Sequence, residues 1–146
     1  MPAGCKVYDR PGIVSANAWS RQLTSRSAKI FVMNAFPEFM KNPANRISRS
    51  SQATPGVVGY VFDGKDGSQM AFWTCSEDSV SAEHVHDYDE YMLVVQGCYT
   101  LVINGKRIPI NAGEEYFIAR GVVHAGEVAA GTRTIHAFGG HRADRE

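Results

Sequence analysis

The sequence lacks most of the features that announce a function at once. It has no apolar run approaching the roughly 18 residues of a membrane span, and its amino terminus, MPAGCKVYDRPG, has no apolar core of a secretory signal. Cysteine is scarce. Cys5, Cys75 and Cys98 are odd in number, widely spaced and in no CxxC pair, so neither a disulfide framework nor a zinc ribbon is indicated. Reduced thiols and a cytoplasmic setting are expected. Net charge is also absent: 15 Lys and Arg balance 15 Asp and Glu, so no overall field draws the protein to nucleic acid or to an anionic membrane, and neither is expected as a partner. Internal repeats and low-complexity tracts are missing, as is the periodicity of long helices.

The neutral total conceals an asymmetry. Residues 1–50 hold eight Lys or Arg against two acids, which leaves seven against thirteen in the remainder, so the two parts carry +6 and −6. The positive charges are dispersed with no basic run, the pattern of a solvated arm lying across an acidic body. RISRSSQATPG, residues 46–56, has the polar, turn-rich composition of a hinge between arm (1–50) and body (57–140). Within the arm, KIFVMNAF (29–36) is strand-like, and PEFMKN predicts one helical turn that Pro43 stops. With 146 residues, 44% of them hydrophobic, the chain suits a single globular domain.

From Val57 onward short strand patterns follow one another: VVGYVF, QMAFWTC, YMLVVQG, CYTLVI, RIPI, EYFIA and TRTIHAF. Asn104-Gly105 is the strongest hairpin signal, since both residues tolerate the positive backbone angles of a type I′ turn. Frequent turns between short strands predict an all-β body, a sandwich or closed barrel.

One stretch places possible chemistry on this scaffold. In SAEHVHDYDEYMLVVQG, His84 and His86 are two apart and Glu90 is an even step further, so all three fall on one face of a strand. Two imidazoles and a carboxylate suit Fe(II), Mn(II), Ni(II) or Zn(II), and the lack of thiolate argues against a structural zinc knot. Alone, the same residues also read as the exposed polar side chains of a loop. A second stretch, NAGEEYFIARGVVHAG, runs from one glycine turn through a strand to Gly121, with His124 three residues beyond it.

Taken together, HxHxxxE with Gly97 after it, and Gly113 with Gly121 and His124, resemble the two signature motifs of the cupin superfamily, over about residues 57–140. The resemblance implies a small antiparallel β-barrel of jelly-roll type. It also implies one divalent metal ion per chain, held by His84, His86, Glu90 and His124. Three supporting positions depart from the pattern: Asp78 and Ala119 stand where a glycine and a proline are usual, and Val128 where an asparagine is. The gap between the motifs resembles that of compact microbial cupins, which often form homodimers through amino-terminal strands, and a homodimer with the arm contributing is expected.

Other residues have two readings each. His136 is a candidate catalytic base beside the ligand set or a structural histidine. Met92 and Val94 share Glu90's strand face and either line the cavity or fill the core; Trp73 and Tyr60 either form an aromatic wall or fill the core. Arg120, beside Gly121, is either an anion contact or solvated. Cys98 evokes the thiol dioxygenases among cupins, but these resemble three-histidine sites, and Glu90 is present here. The functional expectation is a metal-dependent enzyme, of dioxygenase or isomerase type, acting on a small-molecule metabolite. The alternative is a non-catalytic cupin that binds or senses a small molecule or metal.

Overall fold

The computed structural model describes residues 33–146. Residues 29–32 of the strand expected in the arm lie outside it, and residues 33–36 form no strand. Ala35–Glu146 make one compact unit. It opens with two 3-10 turns, Glu38–Lys41 and Pro43–Asn45. Pro43 ends the first, as expected, and begins the second, where its missing N–H costs nothing.

Nine strands follow: β1 Val57–Asp63, β2 Gln69–Cys75, β3 Ser79–Val80, β4 Glu90–Gln96, β5 Cys98–Ile103, β6 Lys106–Asn111, β7 Glu115–Ile118, β8 Ala125–Val128 and β9 Arg133–Phe138. They form a five-stranded sheet in the order β1-β2-β9-β4-β7 and a four-stranded sheet in the order β3-β8-β5-β6. Every ladder is antiparallel. The protein is an all-β jelly roll, as expected, with no α-helix among the described residues. Among the described residues no helix is long and apolar enough to cross a membrane.

Local chemistry explains the connections. Asn104 and Gly105 both take positive φ, 51° and 74°, and turn β5 into β6 as their sequence predicts. Pro109 sits in β6, an edge strand, where its missing donor breaks no ladder. β3 and β8 had no strand pattern in the sequence because they are two and four residues long.

The core falls into two apolar clusters. One gathers Ile47, Val61, Ala71, Trp73, Phe138 and Ala143. The other gathers Met92, Val94, Leu101, Ile110 and Ile118. Ile47 was assigned to the arm, yet it is buried at 6% exposure in the core of the body. Cys75 is a free, buried thiol.

Candidate metal centre

A cavity of about 660 Å3 opens into the fold, walled by side chains from both sheets. Trp73, Glu90, His136 and Phe138 come from the five-stranded sheet, and Tyr99 and Gly126 from the other. His84, His86 and Tyr88 reach it from the segment leading into β4, and His124 from the residue before β8.

The backbone brings the two motifs together directly. His84 and His124 form an isolated antiparallel bridge, each N–H donating to the other's carbonyl at 2.9 Å. The Gly121 N–H donates to the His86 carbonyl at 2.8 Å, from a residue whose φ of 79° suits glycine. Glu90 opens β4, where strand alternation turns it inward together with Met92 and Val94. Those two are fully buried in the second apolar cluster and do not line the cavity, so core packing is their role.

His84, His86 and His124 offer ligand atoms that all lie within 4.8 Å of one another. Glu90 Oε2 is 3.3 Å from His86 Nε2 and 3.4 Å from His124 Nε2. Hydrogen bonding orients two of the rings. Nδ1 of His84 lies 2.9 Å from the Ala82 carbonyl and Nδ1 of His124 lies 2.9 Å from the Val122 carbonyl. A carbonyl can only accept, so each Nδ1 carries the proton and each Nε2 is left with a lone pair. Backbone carbonyls are a common orienting partner of metal-ligating imidazoles.

His136 completes the cluster without joining the triad. Its Nδ1 lies 2.6 Å from Glu90 Oε1 and its Nε2 lies 3.0 Å from the Thr134 hydroxyl, so both ring nitrogens are engaged. Burial alone would raise the Glu90 carboxyl, but the close approach of the His124, His136 and His86 imidazoles outweighs it and holds the group well below the usual carboxylate range. Burial lowers the basicity of His84. It opposes protonation of His124 too, but Glu90 and the Val122 carbonyl more than compensate, and that imidazole is raised.

The donor set fits a divalent metal ion. His86 Nε2 and Glu90 Oε2 are buried without a hydrogen-bond partner, their 3.3 Å approach lacking the alignment of a bond. Two such orphans side by side are costly unless something joins them. A cation bound by nitrogen and carboxylate oxygen would satisfy both, and the donors present are those of borderline metals.

Of the other expected residues, Trp73 walls the cavity, whereas Tyr60 and Arg120 lie away from it. Tyr88 was missed. It stacks on His86 with ring centroids 4.9 Å apart and planes 10° from parallel. Its signal was present, since His84, His86, Tyr88 and Glu90 alternate strictly. The hinge segment from Ser50 to Pro55 and the tail residue Arg142 also line the cavity, and no sequence pattern pointed to either.

An antiparallel two-sheet jelly roll with histidines and a glutamate from two motifs converging in its cavity is the arrangement that the cupin resemblance implies. Residues 72–138 match the sequence profile of the cupin domain, which together with the fold supports a small protein of the cupin superfamily. No curated protein matches it in sequence. Among solved structures it is similar in fold to KdgF from a Halomonas species, at 17% identity over 57% of this chain and 80% of that one, with a TM-score of 0.53. The polyketide cyclase RemF from Streptomyces resistomycificus is similar at 20% identity over 58% and 66%, with a TM-score of 0.52. Salicylate 1,2-dioxygenase from Pseudoaminobacter salicylatoxidans, solved with gentisate, is similar at 13% identity over 57% and 25%, with a TM-score of 0.54.

Proposed function

We propose that the protein is a metal-dependent enzyme, of dioxygenase or isomerase type, that acts on a small-molecule metabolite within this cavity. One observation carries the reading: His86 Nε2 and Glu90 Oε2 are buried and unpartnered beside the Nε2 atoms of His84 and His124. His84, His86, Glu90 and His124 would hold one divalent ion, of iron, manganese, nickel or zinc. When bound, such an ion supplies Lewis acidity, or redox chemistry if it is iron or manganese. The chain's own residues do the rest. The Ala82 and Val122 carbonyls hold the His84 and His124 protons on Nδ1, and His136 fixes Glu90 through Oε1. With both nitrogens engaged, His136 serves as a positioning residue. The aromatic side chains of Trp73, Tyr88, Tyr99 and Phe138 keep water from much of the wall and suit an organic ligand. A dioxygenase and a cyclase share the fold at identities that speak for fold alone, so the reaction is argued from the site.

The experiment is to load the wild-type protein and His124→Ala with Fe(II), Mn(II), Ni(II) or Zn(II) and assay oxygen uptake and turnover of a metabolite panel. Turnover by the loaded wild type, lost in the variant, is expected. Tight binding of metal and ligand with no turnover would favour a binding or sensing role.

A homodimer belongs to the same proposal. Met70, Tyr91 and Phe117 stand outward at 43%, 40% and 59% exposure. Through Ala137 they are in register across β2, β9, β4 and β7. An apolar row across four strands of one sheet is the kind of surface that a second copy covers.

A further inference from the structure

Among the described residues, Arg142 is the single Arg or Lys that lines the cavity. Its place is built by buried Gln69, which clamps the carboxy-terminal tail. Gln69 Oε1 accepts from the backbone N–H of Arg142 at 2.6 Å and of Ala143 at 2.9 Å, while its Nε2 donates to the Ala143 carbonyl at 3.1 Å. The guanidinium Cζ then lies 5.9 Å from the ring centroids of both Trp73 and Phe138, and Nη1 donates to the Ser51 carbonyl at 3.2 Å.

What this cation lacks is an anion. Among the described residues no carboxylate pairs with it. Of the acids near the tail, Asp63 pairs with Arg145, Asp144 with His141 and Glu146 with Arg46. Glu90 is the single acid among the described residues that line the cavity, and three histidines surround it. A half-buried guanidinium between two rings, with most of its donors turned to no protein acceptor, is a receptor for a carboxylate. One cation with no second beside it among the described residues matches a monoanion better than a phosphate dianion.

We infer that Arg142 is a specificity-determining residue, and that the ligand is a small monocarboxylate. Its carboxylate meets Arg142, its apolar or aromatic body lies against Trp73, Tyr88 and Phe138, and its far end reaches the histidine cluster. The inference rests on the proposed function for what happens at that far end, but not for the carboxylate contact itself.

The test is calorimetric titration of the full-length protein, zinc-loaded and metal-free, with benzoate, phenylacetate and phenylpyruvate, each beside its neutral amide. Wild type is expected to prefer at least one acid over its amide, and Arg142→Gln to lose about 10- to 100-fold of that affinity, as for a charged hydrogen-bonded contact. Arg142→Lys, which keeps the charge without the fork, is expected in between, and it carries the test if Arg142→Gln does not fold. Zinc affinity should be unchanged in both variants. Equal binding of acid and amide, no binding of any acid, or variants that bind like wild type would each overturn the inference. Carboxylate preference in a protein that binds no zinc would sustain it and count against the metal centre alone.

Discussion

His136 Nδ1 lies 2.6 Å from Glu90 Oε1, across the antiparallel pair of β9 and β4. The contact holds a buried carboxylate by one oxygen and leaves the other, Oε2, facing His86 and His124. Orientation of a ligand by a residue that is not itself a ligand is the effect expected of this pair. His136→Leu should therefore weaken metal binding by about 10- to 100-fold. His136→Gln, which can still donate to Oε1, should recover part of it. Metal titrations of the two variants check this, and equal losses in both would show that His136 only fills space.

The metal-free protein should show a pH-dependent stability traceable to the cluster. Glu90 is depressed in the folded state from an ordinary 4.5, so its contribution is complete above that value and is lost as pH falls below it. His84, depressed from 6.5 by burial, adds to the loss on the acid side, because the unfolded chain takes up its proton first. His124 is raised, so its contribution is present below 6.5 and disappears as pH rises through its folded value. Thermal midpoints against pH should thus fall on both sides, and Glu90→Gln should flatten the acid limb below 4.5. An acid limb unchanged in that variant would place the effect elsewhere.

Gly97 ends β4 at φ 78°, and a Cβ there would lie 2.8 Å from the Thr132 Cα and 2.5 Å from its hydroxyl oxygen. That hydroxyl also bonds the Cys98 N–H and carbonyl, so it cannot yield freely. Gly113 has φ 87° but nothing within 4 Å. Gly113→Ala should cost about 1 kcal/mol of backbone strain, and Gly97→Ala clearly more. Denaturant unfolding of the two compares them directly, and equal costs would contradict the steric argument.

How far the sequence could be read follows from what each signal depends on. Strand alternation depends on neighbours in the chain, so β1, β2, β4, β5, β6, β7 and β9 were legible, as was the Asn104-Gly105 turn. The convergence of His84, His86 and Glu90 with His124 was legible because two local motifs carried it. β3 and β8 were not, since two to four residues hold no period and exist through their partners. Arg142 was hidden for a different reason. It enters the cavity because Gln69, far away in the chain, clamps the tail, and nothing local to either residue says so. The hinge around Ser51 failed likewise: its composition described a loop correctly, but not that the loop would wall a cavity.

The outward row of Met70, Tyr91 and Phe117 predicts self-association. Phe117→Asp places a charge on the most exposed member, on edge strand β7, and should convert a dimer to a monomer without loss of fold. Light scattering at matched concentrations reads the mass. A wild-type monomer, or a dimer indifferent to the substitution, would remove the row from the interface.

The central claim is that four side chains from two motifs form one metal site. Its most direct test is metal content and affinity, by elemental analysis and calorimetric titration with Zn(II) and Mn(II), of wild type, His84→Ala, His124→Ala and Glu90→Gln. One equivalent per wild-type chain is predicted, with affinity reduced at least about 100-fold in each histidine variant and reduced in Glu90→Gln. Wild type without stoichiometric metal, or binding that none of these substitutions alters, would contradict it.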